Sequence, residues 1–493
     1  EDLASLVAAA REALRPHVAA AEGRPLALRL RLSGESQLHG WALANRALLI
    51  DEMQNACHQA DAEAWLEKLE LDLAPPADAR PVVPLDPSLD LAALLAELFS
   101  IEARDIVINR DRYSLNSLNG FFTAGGTPFF FKFHQEEGEE AMAGEYYRAD
   151  ILARAGLPVD QPVHMSVLPG EQILVYRRRK DRRLSDVLRA LDLKDDPDLR
   201  RAAAEAESRL SDRVLHVYQQ TLHPITPEQA ANEPVNRLFF ERLIDPATGS
   251  YPGGRLKSFY VDQTFAFPGA TLTWPECADA RLVINGIAYS DTIRQLFDGA
   301  HARLKPSLLA DAGGVVAHGD AHNANVWFVE QSNSAELSFF DPAFAGDNVP
   351  TLLAEVKTTF HNILAHPLWL YDPEELQRAY SAKATYNNGT LEIETDWQLT
   401  SVRSDLLRVK AERAWKPLLQ LLKDRELLPE DWRRVVRLSL FLCPTLVMNL
   451  RAGASRHNPT SSLIGFANAV RAGSEPLGGS DFVSAMLDNV TPR

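Results

Sequence analysis

The stretch His318-Gly319-Asp320-Ala321-His322-Asn323-Ala324-Asn325 constrains the fold more than any other part of this chain. It lies between two apolar runs, Gly314-Val315-Val316-Ala317 and Val326-Trp327-Phe328-Val329, and a third run, Leu337-Ser338-Phe339-Phe340, delivers Asp341. Short apolar runs bounded by polar residues read as buried strands. The order is therefore strand, polar loop, strand, turn, strand, carboxylate. It places Asp320, Asn325 and Asp341 at the mouths of short strands, where all three can converge on one small volume. An aspartate that can take a proton from a hydroxyl, beside an Asn–Asp pair that can hold magnesium, is what phosphoryl transfer from ATP requires. The alternative is a buried polar loop without catalytic use. Gly319 suits a tight turn that a side chain would obstruct. His318 and His322 read as structural histidines whose ring hydrogen bonds hold the loop, with direct proton transfer as the alternative.

The His-Gly-Asp-x-His-x-x-Asn signature resembles that of the aminoglycoside phosphotransferase and choline kinase-like family, which has a protein-kinase-like fold. The resemblance covers residues 100 to 350 by motif and the remainder by compatible helicity. It implies an α+β, bilobal protein with a small β-rich N-lobe and a large, mostly helical C-lobe. It also implies Asp320 as the catalytic base, with Asn325 beside it, and Asn325 and Asp341 as ligands of Mg2+. ATP would be the phosphate donor and a hydroxyl of a small molecule the acceptor.

Such a fold needs a strand lysine on the nucleotide phosphates and a helix glutamate to orient it. Ile106-Val107-Ile108 reads as a first strand, followed by a small polar turn from Ser114 to Gly120. Phe121-Phe122-Thr123 and Pro128 to Phe133 form a hairpin across Ala124-Gly125-Gly126-Thr127. Lys132 is a lone cation in this aromatic strand, and a buried ammonium needs an anionic partner. A nucleotide phosphate is that partner in the functional reading; an edge-strand lysine facing solvent is the other. Ser117 and Asn119 are candidate nucleotide contacts, since small polar side chains and backbone amides can cap phosphate oxygens; an ordinary turn is the alternative. A helix from Ala141 to Ala155 ends at Gly156. Within it, Glu145 best matches the family's glutamate position, with Glu139 or Glu140 as runner-up. Gln172 to Tyr176 is a further strand leading toward the hinge between lobes, so Tyr176 and Arg177 are candidates for recognising the base. The basic run from Arg177 to Arg183 reads as a solvated loop, and Ser185 as the cap of a short helix from Asp186 to Leu191.

Downstream, Leu210, Val214, Tyr218 and Leu222 keep the four-residue step of a buried helix face within a helix from Asp198 to Leu222. His223 follows as a core or capping histidine. Ser404 to Lys423 and Glu430 to Leu450 are further helices. Asp347, Glu355, Asp372 and Glu374 are possible anionic contacts for a cationic acceptor, each also readable as plain surface. Two parts exceed a minimal family member. Lys257 to Tyr289 is strand-like and turn-rich. The first ninety residues hold a helix (Leu3 to Ala21), an alternating strand (Leu26 to Leu32) and a helical run (Trp41 to Leu71). Five prolines, Pro75, Pro76, Pro81, Pro84 and Pro87, then mark a linker. The expected organisation is an appended α/β unit and linker over 1–90, an N-lobe over 91–180 and a C-lobe over 181–493.

Composition sets outer bounds. With 493 residues, 46% of them hydrophobic, the chain can bury one large core or several smaller ones. A net charge of −16 argues against a nucleic-acid groove and is compatible with a positively charged acceptor such as an amino sugar or amino alcohol. Cys57, Cys277 and Cys443 lack metal spacing and fit a reducing compartment. No apolar stretch approaches the ~20 residues of a membrane span, no secretory signal is visible, and the cytoplasm, where ATP is plentiful, is the expected location. The rival readings are a protein kinase, an AMP-transferring enzyme of related fold, and a non-catalytic nucleotide-binding regulator. Asp341 is followed by Pro342-Ala343 rather than Phe-Gly, which disfavours the first. Neither the acceptor nor the oligomeric state is legible.

Overall fold

The computed structural model describes residues 3–21, 26–36, 64–74, 87–109, 118–134, 141–166, 172–332 and 334–493, with several residues between 38 and 57. The chain divides into two compact units, Glu1–Leu91 and Ala92–Arg493.

In the first unit, helix α1 (Leu3–Ala21) precedes two paired strands, β1 (Leu26–Glu35) and β2 (Ala64–Ala74), which run parallel. The alternating leucines of β1 pack with Leu66, Leu69 and Leu71 of β2 and with Leu6, Val7 and Leu14 of α1. The pairing of Ala64–Ala74 corrects the expected helical run to Leu71. Leu66 and Leu69 are three apart, a helical spacing. However, the register steps from Leu28↔Leu66 to Arg29↔Lys68, so Glu67 is an extra bulged residue and both leucines reach the same face of a strand. Residues 75–86, which hold most of the expected linker, lie outside the described residues. Pro87 opens helix α2 (Pro87–Phe99) rather than closing a linker, a position where its missing N–H costs nothing.

The second unit begins with a five-stranded antiparallel sheet. Its strands are β3 (Arg104–Asn109), β4 (Leu118–Ala124), β5 (Thr127–His134), β6 (His164–Ser166) and β7 (Gln172–Arg177), in the order β3-β4-β5-β7-β6. The β4–β5 hairpin turns at Gly125 and Gly126, both at positive φ (55° and 77°), as the sequence predicts. Leu118, Asn119 and Gly120 belong to β4, not to a polar turn. Helix α3 (Ala141–Arg154) follows, and Gly156 beyond it takes a φ of 95°.

From Arg182 onward the unit is mostly helical. Strand β8 (Arg182–Arg183) leads directly into helix α4 (Leu184–Leu193). Arg183 holds the capping position without a side-chain hydrogen bond, so Ser185 sits inside the first turn instead of capping it. The basic run is tied down within the chain: Arg179 pairs with Asp160 at 2.8 Å and the Arg178 guanidinium lies 4.2 Å over the Phe121 ring. Asp196 caps the long helix α5 (Pro197–Thr221), which buries Leu210, Val214 and Tyr218. Residues 257–289 contain two short hairpins, Thr264–Phe267 with Ala270–Thr273 and Arg281–Ile284 with Ile287–Ala288.

Strands β9 (Gly314–Ala317), β10 (Val326–Glu330), β11 (Ala335–Phe339) and β12 (Gly346–Pro350) carry the signature segment. β10 pairs with β11 and β8, and β9 pairs with β12. Helix α6 (Val356–Thr359) continues into a π-helical turn, Phe360–Leu364. Ser401–Val409, a second π turn at Lys410–Trp415, and Lys416–Asp424 form one helical run, and α7 (Trp432–Val447) is buried along nearly its whole length. A small β-sheet part followed by a large helical part is the two-lobed α+β arrangement expected from the sequence.

One buried ionic cluster clamps this helical part. Lys410 lies 2.9 Å from both Glu207 of α5 and Glu355 just before α6. Glu355 also accepts hydrogen bonds from Tyr218 (2.8 Å) and Thr358 (3.0 Å). Burial opposes the charge on Lys410, but the two carboxylates outweigh it and raise its pKa. Removing one partner from a buried pair strands the other, which costs about 3–5 kcal/mol. Lys410→Met is therefore expected to lower the unfolding free energy of the second unit, read from urea titration, by about that much; an unchanged midpoint would contradict a stabilising clamp.

Candidate active site

Lys132 lies on β5, the middle strand of the sheet. Directly opposed residues of antiparallel strands point to one face. Lys132 opposes Asn119 and Leu174, and Phe130 opposes Phe121 and Tyr176. One face of the sheet therefore presents Asn119, Lys132 and Tyr176 together with two aromatic rings. Phe121, Phe130 and Tyr176 on it are half-buried, whereas Phe122 and Phe131 on the opposite face are buried. A half-open aromatic face beside a lysine suits a planar base with a charged tail. Ser117 lies outside the described residues. Glu145 falls within α3, and its side chain too lies outside them, as do Glu139 and Glu140.

The signature loop spans from β9 to β10. Gly319 has a φ of 74°, and a Cβ there would run into the carbonyl of Phe344. The Asn325 amide Nδ2 donates to the Asp320 carbonyl (3.0 Å), and the Asn325 carbonyl accepts from the N–H of Phe340 (3.0 Å). His318 Nε2 donates to the carbonyl of Phe340, also at 3.0 Å. The loop is thus stitched to the residue just before Asp341. Asp341 itself has a φ of 54°, a left-handed conformation that costs an L-residue of order 1 kcal/mol and that aspartate tolerates better than most.

Asp341 Oδ1 lies 3.0 Å from Lys132 Nζ, joining the loop to the sheet across 209 positions of sequence. Burial pushes the Asp341 carboxyl up, but the Lys132 ammonium overrides it and the net shift is downward. The carboxylate form of Asp341 is therefore favoured. Asn325 spends its N–H groups on the loop, which leaves Oδ1 free to accept, and Asp341 has a second carboxylate oxygen. One carboxamide and one carboxylate oxygen fit magnesium, which takes few protein ligands and completes its shell with phosphate and water. Consistently, no group of three or more His, Cys, Asp or Glu that could hold a metal alone occurs among the described residues.

Asp320 is the most isolated of the four. Its Oδ1 is buried without a hydrogen-bond partner; Lys357 Nζ stands 3.6 Å from it and His322 Nε2 3.8 Å from Oδ2. His322 Nδ1 accepts from the N–H of Ala324 (3.2 Å), so its proton sits on Nε2, toward Asp320. His322 lies 5.0 Å from the His361 ring, whose Nδ1 meets the Tyr371 hydroxyl at 2.8 Å. Burial lowers the pKa of His318, His322 and His361, the last also through Lys357. His318 and His322 are hydrogen-bonded within the loop, and burial favours the neutral form of all three rings.

Lys357, His361 and Tyr371 were not legible as site residues, although Lys357 and His361 stand four apart and so share a helix face. The acidic residues proposed for an acceptor do not gather at Asp320. Glu355 is in the Lys410 cluster, Asp372 is held by Arg189 at 2.9 Å, Asp347 accepts from the Asn348 side chain, and Glu374 is exposed in the helix Pro373–Ala379. His223 bridges the Thr221 carbonyl and Asn348, a structural role.

The family model for the middle domain of the metallophosphoesterase YhaO matches residues 1–74. No curated protein sequence matches the chain. Solved structures similar to it include a spectinomycin phosphotransferase in complex with ADP and spectinomycin (13% identity, TM-score 0.36, covering 78% of this chain and 98% of that one). The aminoglycoside phosphotransferase APH(4)-Ia is 13% identical (TM-score 0.40, covering 79% and 100%). An aminoglycoside phosphotransferase from Streptomyces rimosus is 14% identical (TM-score 0.30, covering 60% and 88%). Among the described residues no helix is long and apolar enough to cross a membrane.

Two outcomes follow from this geometry. Gly319→Ala displaces Asp320, and ångström-scale misplacement costs on the order of 10²-fold in rate, so its turnover should fall by about that factor; wild-type turnover would contradict the tight loop. The buried histidines resist protonation below the ordinary value of 6.5. The unfolded chain takes up protons there first, so stability falls as pH drops through 6.5 and below. Urea midpoints at pH 7.5 and 5.5 should show a clear decline; equal midpoints would contradict burial of neutral rings.

Proposed function

We propose that this chain is an ATP- and Mg2+-dependent phosphotransferase that moves the γ-phosphate to a hydroxyl of a small molecule. The observation that carries this reading is the convergence of Lys132, Asp341, Asn325 and Asp320. Two sequence-distant segments meet through the 3.0 Å Lys132–Asp341 pair, and Asn325 ties Asp320 to the same knot. A binding module has no need of a carboxylate held free of hydrogen bonds beside the phosphate-binding groups, and this favours an enzyme over a regulator.

In this mechanism the sheet face of Asn119, Tyr176 and the neighbouring aromatics holds the nucleotide, and Lys132 binds its phosphates, with Glu145 orienting the lysine. Asn325 Oδ1 and the Asp341 carboxylate hold magnesium, which when bound neutralises charge between the transferred group and ADP. Asp320 accepts a hydrogen bond from the acceptor hydroxyl and takes its proton as the oxygen–phosphorus bond forms. The bond from the γ-phosphorus to the bridging oxygen breaks, and ADP leaves with that electron pair. Positioning and electrostatics supply most of the acceleration. His318 and the Asn325 amide keep the carboxylates in place without exchanging protons themselves.

Steady-state kinetics and nucleotide titrations separate the roles. Asp320→Asn should lose roughly 10²–10⁴ in turnover with Mg·ATP affinity nearly intact, whereas Asp341→Asn should weaken Mg·ATP binding itself. Wild-type turnover in both variants would refute the assignment.

A further inference from the structure

We propose that the acceptor is an anion: a small hydroxylated molecule whose carboxylate or phosphate group is held by Arg242, Arg255 and Lys357 beside Asp320. This rests on the phosphotransfer reading and names its substrate class. The observation behind it is an imbalance of charge on the acceptor side of the loop. Asp341 is neutralised by Lys132. Asp320 alone faces a cluster of cations.

Lys357 is buried, with its side chain 4% exposed, and among the described residues its ammonium meets no hydrogen-bond acceptor, only the Asp320 carboxylate at 3.6 Å. Arg242 and Arg255 converge from another direction. Both donate through Nη1 to the Leu446 carbonyl, at 3.2 and 2.8 Å, and Arg255 also reaches the Val447 carbonyl at 3.0 Å. Two guanidiniums on the end of α7 suit the negative end of its dipole, and the two carbonyls engage only Nη1 of each, so that among the described residues most of their ten N–H donors meet no acceptor. Burial and the neighbouring Arg255 bring Arg242 down to about 10, so it remains a cation at neutral pH; Asp320 is the carboxylate whose charge acts on it. Cys443 on α7 feels Lys357, Arg242 and Asp320 together, which places the three charges around one spot.

Neutral groups complete the surroundings. His361 Nε2 and Asn323 Nδ2 are buried without a partner, and His361 stays neutral because Lys357 and Arg242 add to its burial in opposing a further charge. Placing an ammonium here would set it against Lys357, which is buried, and Arg242, which is half-buried. A carboxylate or phosphate instead matches the guanidinium fork and relieves like-charge repulsion. None of Asp347, Glu355, Asp372 and Glu374 forms an ion pair with Lys357, Arg242 or Arg255 among the described residues; Asp320 is the carboxylate that faces Lys357. The overall net charge of −16 does not conflict with this, because a total charge does not fix the charge of one site.

The test is calorimetric titration of the whole protein loaded with Mg2+ and a non-hydrolysable ATP analogue, which fills the γ-phosphate position. Inorganic phosphate, glucuronate, glucose and glucosamine are the probes, against wild type, Arg242→Gln and Arg255→Gln. The expected result is that phosphate or glucuronate binds, and whichever binds distinguishes a phosphate-bearing from a carboxylate-bearing acceptor. Glucose and glucosamine should not bind. A hydrogen bond to a charged group is worth about 1.5–3 kcal/mol, so each variant should weaken anion binding by about tenfold or more, with nucleotide affinity unchanged as a check on folding. Glucosamine binding in preference to the anions, no anion binding, or anion affinity unaltered in both variants overturns the proposal. Failure of the wild type to bind the Mg2+-nucleotide would instead remove the phosphotransfer reading, and this inference with it.

Discussion

The Lys132–Asp341 ion pair is the contact on which the rest of the site depends. It is the point where the sheet and the signature loop touch chemically, and it fixes which face of the sheet confronts the loop. An ammonium in an aromatic strand and a carboxylate in a left-handed backbone conformation are each costly alone. Together they offset these costs, and the Lys132 ammonium favours the ionised form of Asp341. The loop behind Asp341 is built to keep that carboxylate still: His318 and Asn325 both bind the backbone of Phe340, so Asp320 and Asp341 move as one body. Asp320, by contrast, is left with an oxygen that nothing hydrogen-bonds.

Rigidity of the loop is inherited from the helices beneath it. Asn362, in the π turn after α6, accepts from the Asn323 N–H at 2.7 Å, and the Arg403 guanidinium donates to the Asn362 carbonyl while pairing with Asp192 at 2.6 Å. The Lys410 cluster sits one layer further in. Both π turns thus lie in the contacts that support the signature loop, in keeping with the tendency of such turns to mark functional sites.

The parts legible in the sequence were those whose signal is local. The hairpin turn at Gly125-Gly126 needs positive φ, the aromatic run around Lys132 sets a strand, and the strand–loop–strand order around Asp320 follows from apolar runs and fixed spacing. Two kinds of feature were not legible. A bulge at Glu67 converts a strand spacing into a helical one, so β2 read as helix. Charge partnership is the other: Glu355 looked like a surface carboxylate because its partners, Glu207's lysine and Tyr218, lie far away in sequence. For the same reason Lys357 and Arg242 carried no signal in the sequence, and the acidic composition was compatible with a cationic acceptor although a lysine, Lys357, stands 3.6 Å from Asp320. Net charge reports the surface as a whole; a site a few ångströms across follows its own neighbours.

The most direct measurement uses ATP labelled in turn at the γ- and the α-phosphate, incubated with Mg2+, the whole protein and hydroxylated acceptors of each charge class. The account predicts the γ-label on the acceptor, with ADP carrying the α-label. Recovery of the α-label on the product would mean AMP transfer, and label remaining entirely in bound ATP would mean a nucleotide-binding regulator; either result would contradict phosphoryl transfer at Asp320.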